Sequence, residues 1–396
     1  MKKVVAGSMV SALLALPSFG FELYNNDNTK LDVYASMRGY IGVGHNLSAP
    51  EGTGRPNAPT GYLMGLQNNS RFGINFSTGD FRAQVEYGWQ ETDNSPGWRL
   101  YYGAYKTSSG EFLFGKQNSP TTDEGFSSNW LNADTGSIGF GGVALALRRI
   151  QVAYKIGGLN IALLEDKMGT GVNTGVTQED GAYRANAQMP RIAASYTAKD
   201  ADGNLFFKVG ASYVRVSGYG PYYSASSYSG PDLHAYHAWF GIRPKFGNAY
   251  ISFMANAGKN GDLYGEQSTT ISTGAYTHGN INGNINSNIG YNATRIGAHL
   301  EFGYDFSKQF GMAIGGGYQL TTGGSNQYKQ TTGERDGGIN SFAAFINLPY
   351  KVSQNLTLAP LVAYYSVAGD ADSRVSLGKE NKQSSVIGAM RIKWDF

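Results

Sequence analysis

Two groups of charged residues mark where this chain could do chemistry. The acidic group lies in one segment, 118–147, which contains no Lys or Arg. Opposite charges that face each other across a narrow, low-dielectric space produce a transverse field, which orients dipolar solutes. Whether they can do so depends on the elements that carry them. The basic residues are Arg38, Arg71, Arg82, Arg99, Lys116 and Arg149, and the acidic residues are Asp123, Glu124 and Asp134.

The end of the chain, "VIGAMRIKWDF" (386–396), alternates between apolar and charged side chains. A period of two residues indicates a β-strand, because successive side chains point to opposite faces. The same alternation occurs in 31–43, 81–89, 295–305 and 342–350, and the apolar parity of all five segments lacks charge. A charge that faces lipid at mid-depth costs about 2–4 kcal/mol, so a bilayer would impose this exclusion.

The lengths of these segments separate a membrane sheet from a soluble one. They run for 9 to 13 residues, which is the length that a tilted strand needs to cross the hydrocarbon, whereas strands of soluble domains average about 5–6 residues. Backbone groups in lipid must all be paired, so the sheet has to close on itself. The sequence therefore predicts an all-β fold, a transmembrane antiparallel β-barrel.

The connections between these segments predict the number of strands. Seven are short turns and eight are long and polar, so fifteen connections join about sixteen strands. This asymmetry is typical of outer-membrane barrels, with short periplasmic turns and long external loops. Sixteen strands leave an aqueous lumen, whereas side chains fill a barrel of eight. The expected turns are 77–80, 107–110, 157–158, 199–204, 246–248, 305–309 and 351–355, and the expected loops are 44–69, 90–97, 118–147, 168–188, 218–233, 260–290, 321–338 and 369–384.

The first twenty residues have the pattern of a secretory signal peptide. Lys2 and Lys3 precede a short apolar run, and small residues follow at Ser18 and Gly20. We expect residues 21–396 to form a single barrel domain. The chain has 32 Lys and Arg against 29 Asp and Glu, or 30 against 29 without the two leader lysines, and it has no Cys. This balance argues against nucleic acid as a partner, and disulfides are excluded.

Three segments resemble the general porins of Gram-negative bacteria, which are sixteen-stranded trimeric channels of the outer membrane. They are "SRFGINF" (70–76), "RLYYGAYKTSSGEFLFGKQNSP" (99–120) and the terminal "RIKWDF". The resemblance implies a homotrimer in the bacterial outer membrane, in contact with lipid and lipopolysaccharide. It also implies a terminal signal for the outer-membrane assembly machinery, carried here by Phe396, Trp394 and Ile392.

By the same resemblance, 118–147 is the third external loop, which in general porins folds inward and narrows the pore. The basic residues would then face its acids from the opposite wall. Arg71 opposes the apolar side chains of "RFGINF", and Arg99 opposes an apolar parity that begins with Leu100 and Tyr102. Both parities of "EFLFGK" are partly apolar, so parity does not place Lys116, which stands where the family often has Arg. The alternative is that these basic side chains only solvate the lumen wall.

A general diffusion channel therefore competes with two other functions. A substrate-specific channel for sugars or small organic anions would use aromatic side chains on the lumen parity, namely Tyr34, Tyr40, Tyr101 and Tyr105. An enzyme is not expected, because His237 and His299 come with no Ser or acid at motif spacing. "DADGN" (200–204) begins like a calcium loop but lacks the later ligands, so we expect a turn there. We expect no cofactor and no metal ion.

Overall fold

The computed structural model describes residues 20–26, 28–48, 60–67, 69–89, 96–122, 125–131, 139–142, 148–165, 186–187, 189–217, 233–260, 270–271, 283–284, 294–322, 338–369 and 382–396. The expected leader lies outside these ranges, apart from Gly20. Asp123, Glu124 and Asp134 lie outside them too. Among the residues that the structure describes, helical membrane spans are absent.

Antiparallel strands make up almost all of the described chain. In chain order they are β1 Phe21–Asn25, β2 Thr29–Ser48, β3 Thr60–Leu66, β4 Arg71–Thr78, β5 Phe81–Trp89, β6 Pro96–Lys106, β7 Glu111–Asn118, β8 Arg148–Ile156, β9 Leu159–Leu164, β10 Asn186–Ala187, β11 Arg191–Lys199, β12 Leu205–Ser217, β13 Leu233–Ile242, β14 Lys245–Phe246, β15 Ala249–Lys259, β16 Thr270–Ile271, β17 Gly283–Asn284, β18 Thr294–Asp305, β19 Gly311–Thr322, β20 Gly338–Asn347, β21 Tyr350–Lys351, β22 Leu356–Gly369 and β23 Lys382–Asp395.

Sixteen strands of the described chain close into one barrel. Each pairs with its neighbour in sequence, and β23 pairs with β2 from Ser384 to Asp395, which closes the ring. β3 and β4 form a single barrel strand interrupted at 67–70, because both pair with β2. β10, β14 and β21 are short continuations of barrel strands, and β16 and β17 form a separate hairpin. The predicted sixteen-stranded barrel is confirmed.

The exterior of the barrel is apolar and the interior carries the charges. In β18, Ile296 and Leu300 are both 57% exposed, whereas Arg295 and Glu301 on the opposite parity are fully buried inside the barrel. The alternation of the sequence therefore reports which face of each strand meets lipid and which meets the lumen.

The seven expected turns all connect adjacent strands, and one expected loop is wrong in extent. The segment 44–69 contains the end of β2 and all of β3, because "TGYLMGL" alternates in spite of its two glycines. Tyr62 and Met64 face outward there and Leu63 faces inward. Polar and glycine-rich composition thus concealed a strand.

The turn at 200–204 shows why such segments end strands. The Asp200 carboxylate accepts hydrogen bonds from the backbone N–H groups of Asp202 and Asn204, at 3.0 and 2.8 Å. It also accepts one from the Asn204 side chain at 3.0 Å. This side-chain hydrogen bond stabilises the charged form and holds the pKa of Asp200 below its usual range. The sequence "DADGN" is therefore satisfied as a turn.

The closing seam brings the two ends of the described barrel together. The Phe396 amide donates to the Ala35 carbonyl at 2.9 Å, and the Ala35 amide donates back at 3.2 Å. β1 continues the same edge of β2, with Phe21 opposite Val33. The side chains of Ile392, Trp394 and Phe396 face outward and are between 40 and 48% exposed.

Gly42 should be essential for tight closure. A Cβ at Gly42 would lie 2.4 Å from the Gly388 carbonyl across the β2–β23 seam, whereas a Cβ at Gly388 meets nothing within 4 Å. We expect Gly42→Ala to destabilise the barrel by about 1–3 kcal/mol, the usual cost of overpacking. The temperature at which the folded band disappears on detergent gels would measure this. Gly388→Ala is the matched control, and equal melting of the two variants would contradict the interpretation.

Candidate functional site

The segment between β7 and β8 lies inside the barrel. Near its start, side chains of the wall donate hydrogen bonds to its backbone carbonyls. Trp239 Nε1 donates to Thr121 at 2.8 Å, and Lys208 Nζ donates to Thr122 at 2.6 Å. The described residues of this segment, 119–122, 125–131 and 139–142, are called the inward segment below. Its start is thus bound to β12 and β13, which lie four and five strands along the barrel wall from β7.

The inward segment then crosses to other strands of the wall. Gln67 Nε2, at the interruption between β3 and β4, donates to the Trp130 carbonyl at 2.7 Å. Asn256 Nδ2 of β15 donates to the Gly141 carbonyl at 2.8 Å. The contacts thus extend over much of the inner circumference, so the predicted inward fold of the third long connection is confirmed for the described residues.

Apolar packing fixes the same segment. Trp130, Leu131 and Phe140 are each about 1% exposed and join an apolar cluster with inward-facing residues of β20, β22 and β23. The rings of Phe140 and Tyr365 lie 4.9 Å apart. At about 25 cal/mol per Å² of apolar surface removed from water, this contact favours the packed segment over one extended into solvent.

Two glycines allow the backbones to meet. Gly141 has a φ of 89°, and a Cβ there would collide with the Ala298 carbonyl. On β19, the strand next to that of Ala298, a Cβ at Gly317 would collide with the Phe140 carbonyl. Glycine is therefore required on both sides of this contact, which no pairing pattern in the sequence reveals.

Arg71, Arg82 and Arg99, three of the predicted basic residues of the early strands, lie in the lumen and are paired with acids of the same wall. Glu86 Oε1 accepts a hydrogen bond from Arg99 Nε at 2.6 Å, and Glu86 Oε2 lies 3.2 Å from Arg71 Nε. Tyr34 donates its hydroxyl to Glu86 Oε2 at 2.8 Å. Two guanidinium groups thus share one carboxylate, which leaves one net positive charge.

Arg82 is neutralised in the same way. Its guanidinium donates to both carboxylate oxygens of Glu111, at 2.6 and 2.5 Å, and to the Tyr102 hydroxyl at 2.8 Å. Tyr102 in turn donates to Gln84, and Gln84 donates to the Tyr34 hydroxyl. A continuous polar network therefore connects the Glu86 cluster with the Arg82–Glu111 ion pair, along β2, β4, β5, β6 and β7.

Arg38 forms part of the closing seam. It is 3% exposed, and its Nε donates to Ser36 Oγ at 3.1 Å. Ser36 donates to Asp395 at 2.7 Å, and Asp395 is ion-paired with Lys393 at 2.8 Å. Arg149 has the parity of Gln151, which is buried and faces inward. Both arginines therefore lie on the lumen face.

Lys116 does not line the lumen, and its inclusion in the basic wall is wrong. It shares the parity of Phe112 and Phe114, which are 46 and 60% exposed on the outer face. Its Nζ donates to the Trp98 carbonyl at 2.9 Å and lies 5.8 Å from the centre of the outward-facing Tyr101 ring. Parity alone left this residue unplaced, and the resemblance assigned it to the wrong face.

Two of the four tyrosines expected in the lumen also face outward. Tyr34 and Tyr40 are buried inside, whereas Tyr101 and Tyr105 are 40 and 54% exposed on the outside. The cause is a β-bulge: Glu86 pairs with Leu100 but Tyr87 pairs with Trp98, so Arg99 is an extra residue in β6. The bulge reverses the parity of the strand, and Tyr102 faces inward instead.

The predicted loop acids Asp123, Glu124 and Asp134 lie outside the described residues, so their position opposite this wall stays a prediction. Among the acids that the structure does place in the lumen are Glu86, Glu111 and Glu301, which sequence reasoning did not include among the site residues. A signal existed for Glu86 and Glu301, because both lie on the polar parity of alternating segments. Three or more potential metal ligands do not cluster anywhere in the part of the chain that the structure describes.

Comparison with known proteins supports the fold. No protein-family model matches the chain, and no curated protein is significantly similar to it. Solved structures match over nearly its whole length. The outer membrane channel DcaP of Acinetobacter baumannii has a TM-score of 0.62 and 15% identity, over 94% of this chain and 99% of that one.

Two further structures match in the same way. The anion-selective porin from Comamonas acidovorans has a TM-score of 0.53 and 12% identity, over 92% of this chain and all of that one. Salmonella typhi OmpF, in complex with daunomycin, has a TM-score of 0.53 and 14% identity, over 94% and 100%. At these identities the likeness shows the fold alone. The chain has the fold of the sixteen-stranded outer-membrane porins.

The glycine contact gives a direct test of the packed inward segment. Because the chain has no Cys, Leu131→Cys would provide a single thiol at a site that is 1% exposed. Adding Gly141→Ala should push the segment off the wall and raise the rate of maleimide labelling about tenfold, as expected for an overpacking cost of about 1.4 kcal/mol. Gly388→Ala in the same background is the control. Rapid labelling of Leu131→Cys alone would contradict the packing.

Proposed function

We propose that this chain is an outer-membrane porin, a water-filled channel for the passive diffusion of small hydrophilic solutes and ions. The main support for this proposal is the inward segment, which is bound to the inner wall of a sixteen-stranded barrel. A barrel of this size exceeds what its own side chains can fill. The inward segment, held inside the barrel, then narrows the lumen. Residues 1–20 would direct export, and residues 21–396 would form the channel.

The charges of the early strands support a mixed wall of basic and acidic side chains. Arg71 and Arg99 share Glu86, while Arg82 is neutralised by Glu111. In this proposal Asp123, Glu124 and Asp134 face this wall from the loop and complete a transverse field. We propose a weak preference for anions, because the Glu86 cluster contains two guanidinium groups and one carboxylate.

A channel is favoured over an enzyme by the surroundings of the lumen histidines. The ring of His299 is stacked on Phe345, with centroids 6.0 Å apart, and its Nε2 lies 3.6 Å from Glu301. That carboxylate already accepts hydrogen bonds from the Ser128 amide and the Tyr250 hydroxyl. These contacts support a structural role for the His299–Glu301 pair.

A substrate-specific channel is the second candidate. It is favoured by the ordered network of Tyr34, Gln84, Tyr102 and Arg82, which presents hydroxyl and guanidinium groups in fixed positions. Such a surface could bind a sugar or a small organic anion. A general channel would conduct without saturation, whereas a specific one would be blocked by its solute.

The proposed partners follow from the fold and the exterior. We propose a homotrimer in contact with outer-membrane lipid and lipopolysaccharide, without a cofactor. The outward row of Ile392, Trp394 and Phe396 on the last strand would be the segment that the assembly machinery binds. Crosslinking in mild detergent tests the trimer, and a purely monomeric product would contradict it.

Single-channel recording in a planar bilayer tests the proposed function. A general trimeric porin should give large ohmic steps in groups of three, with modest ion selectivity. Small steps that micromolar to millimolar sugar or organic acid blocks would support the substrate-specific channel instead. Purified, folded protein that gives no conductance would contradict both.

The charge pairs should set the sign of the selectivity. Neutralising Arg71 and Arg82 together leaves Glu86 paired with Arg99 alone and removes the arginine partner of Glu111. The reversal potential in a salt gradient should therefore shift toward the value of a cation-selective channel. Glu86→Gln should shift it toward anions, with a change of about twofold in the permeability ratio because the removed charge lies within a Debye length of the solute path. Lys30→Gln and Glu22→Gln, an ion pair at the barrel rim, are the controls. Unchanged potentials in both lumen variants would contradict the assignment.

A further inference from the structure

The β-bulge in β6 gives the wall a basic side chain that has no place in a regular ladder. Glu86 pairs with Leu100 and the next residue, Tyr87, pairs with Trp98, so Arg99 stands opposite no residue of β5. The extra residue of a bulge is left out of the ladder. Its side chain still reaches Glu86 Oε1, to which Nε donates at 2.6 Å. The Arg99 stem therefore needs space above residues that are already paired.

Gly88 of β5 supplies this space. It has the inward parity of Glu86 and is buried. A Cβ at Gly88 would collide with Arg99 Cδ, and the three atoms nearest to such a Cβ all belong to Arg99. The aliphatic part of Arg99 thus lies over the bare Gly88 backbone, and the side chain is 12% exposed. Arg99 lies along the wall with its charge on Glu86 and does not project into the lumen.

A second glycine does the same on the other side of Glu86. Tyr34 pairs with Gly73, and Gly73 pairs with Glu86, so the three residues form one row across β2, β4 and β5. A Cβ at Gly73 would collide with the Tyr34 ring, whose hydroxyl donates to Glu86 Oε2 at 2.8 Å. Both side chains that cross the inner face to reach Glu86 therefore pass over a glycine.

The two kinds of atom at Gly88 would respond differently to an added methyl group. The colliding atoms belong to a flexible side chain, so Arg99 would move and the backbone of β5 would stay. Arg71, whose Nε lies 3.2 Å from Glu86 Oε2, would keep its ion pair. A positive charge in contact with a carboxylate has a weak field at a distance, whereas the same charge displaced from it attracts anions.

We propose that Gly88 is a specificity-determining position of the channel. By leaving room for the Arg99 stem, it keeps this positive charge paired on the wall and so limits the preference for anions. Gly88 is a positioning residue, because it acts only through the place of the Arg99 guanidinium. This inference rests on the proposed channel function.

The test is the reversal potential of Gly88→Ala in a salt gradient. The formal charge of the chain does not change, yet the potential should shift toward the value of an anion-selective channel. We expect about a twofold change in the permeability ratio, since the displaced charge lies within a Debye length of the solute path. Gly388→Ala adds a methyl group that meets nothing within 4 Å, and it should keep the parent potential.

A second background separates the charge of Arg99 from other effects of the methyl group. Arg99→Gln keeps a stem over Gly88 but carries no charge, so adding Gly88→Ala there should leave the potential unchanged. The heat-modifiable band on detergent gels checks the folding of each variant. An unchanged potential in Gly88→Ala alone, or an equal shift in the Arg99→Gln background, would overturn the proposal. So would a Gly88→Ala variant that does not fold, because only a flexible side chain has to move. A folded parent without conductance would overturn the channel function instead.

Discussion

The need to pair every backbone group in lipid is the constraint on which this structure depends. An open sheet would leave the edges of β2 and β23 unpaired in hydrocarbon, so the two strands must join. Once they do, each strand has one face toward lipid and one toward the interior, and the composition of every strand follows. The close approach of Gly42 to the backbone of β23 shows that closure is also a packing problem. Pairing of β2 with β23 therefore closes the sheet, and the closed sheet encloses the interior of the barrel.

Period-two alternation made most of the fold predictable from the sequence. The sixteen strands, the seven turns and the inward parity of Arg38, Arg71 and Arg82 all follow from it, because side-chain parity and turn chemistry are local properties. The errors occurred where a local rule was interrupted. A bulge at Arg99 reversed the parity of the following tyrosines. Lys116 came from a stretch whose two parities were both partly apolar, and a strand within 44–69 was hidden by its glycines.

The electrostatics of the lumen were less predictable than its location. Parity identifies which side chains face inward, but it does not identify their partners, because these are set by register between strands. Glu86 meets Arg71 and Arg99 only because β5 lies between β4 and β6 at a particular offset. Three arginines of the wall that was expected to be basic, Arg71, Arg82 and Arg99, are therefore paired with acids of the same wall. The contacts of the inward segment are even harder to predict from the sequence than these charge pairs, because they join residues separated by up to 236 positions.

The wall binds the inward segment mainly through its main chain. The carbonyls of Thr121, Thr122, Trp130 and Gly141 accept the hydrogen bonds, and every residue type has a backbone carbonyl. Packing restricts the side chain at two of these positions, because Gly141 leaves no room for a Cβ and Trp130 lies in the apolar cluster. Many substitutions within such a segment leave its attachment unchanged. A change in a side chain of the segment that does not pack against the wall leaves these backbone contacts in place. The backbone atoms of the segment therefore fix its position, whereas its remaining side chains determine what it presents to a solute.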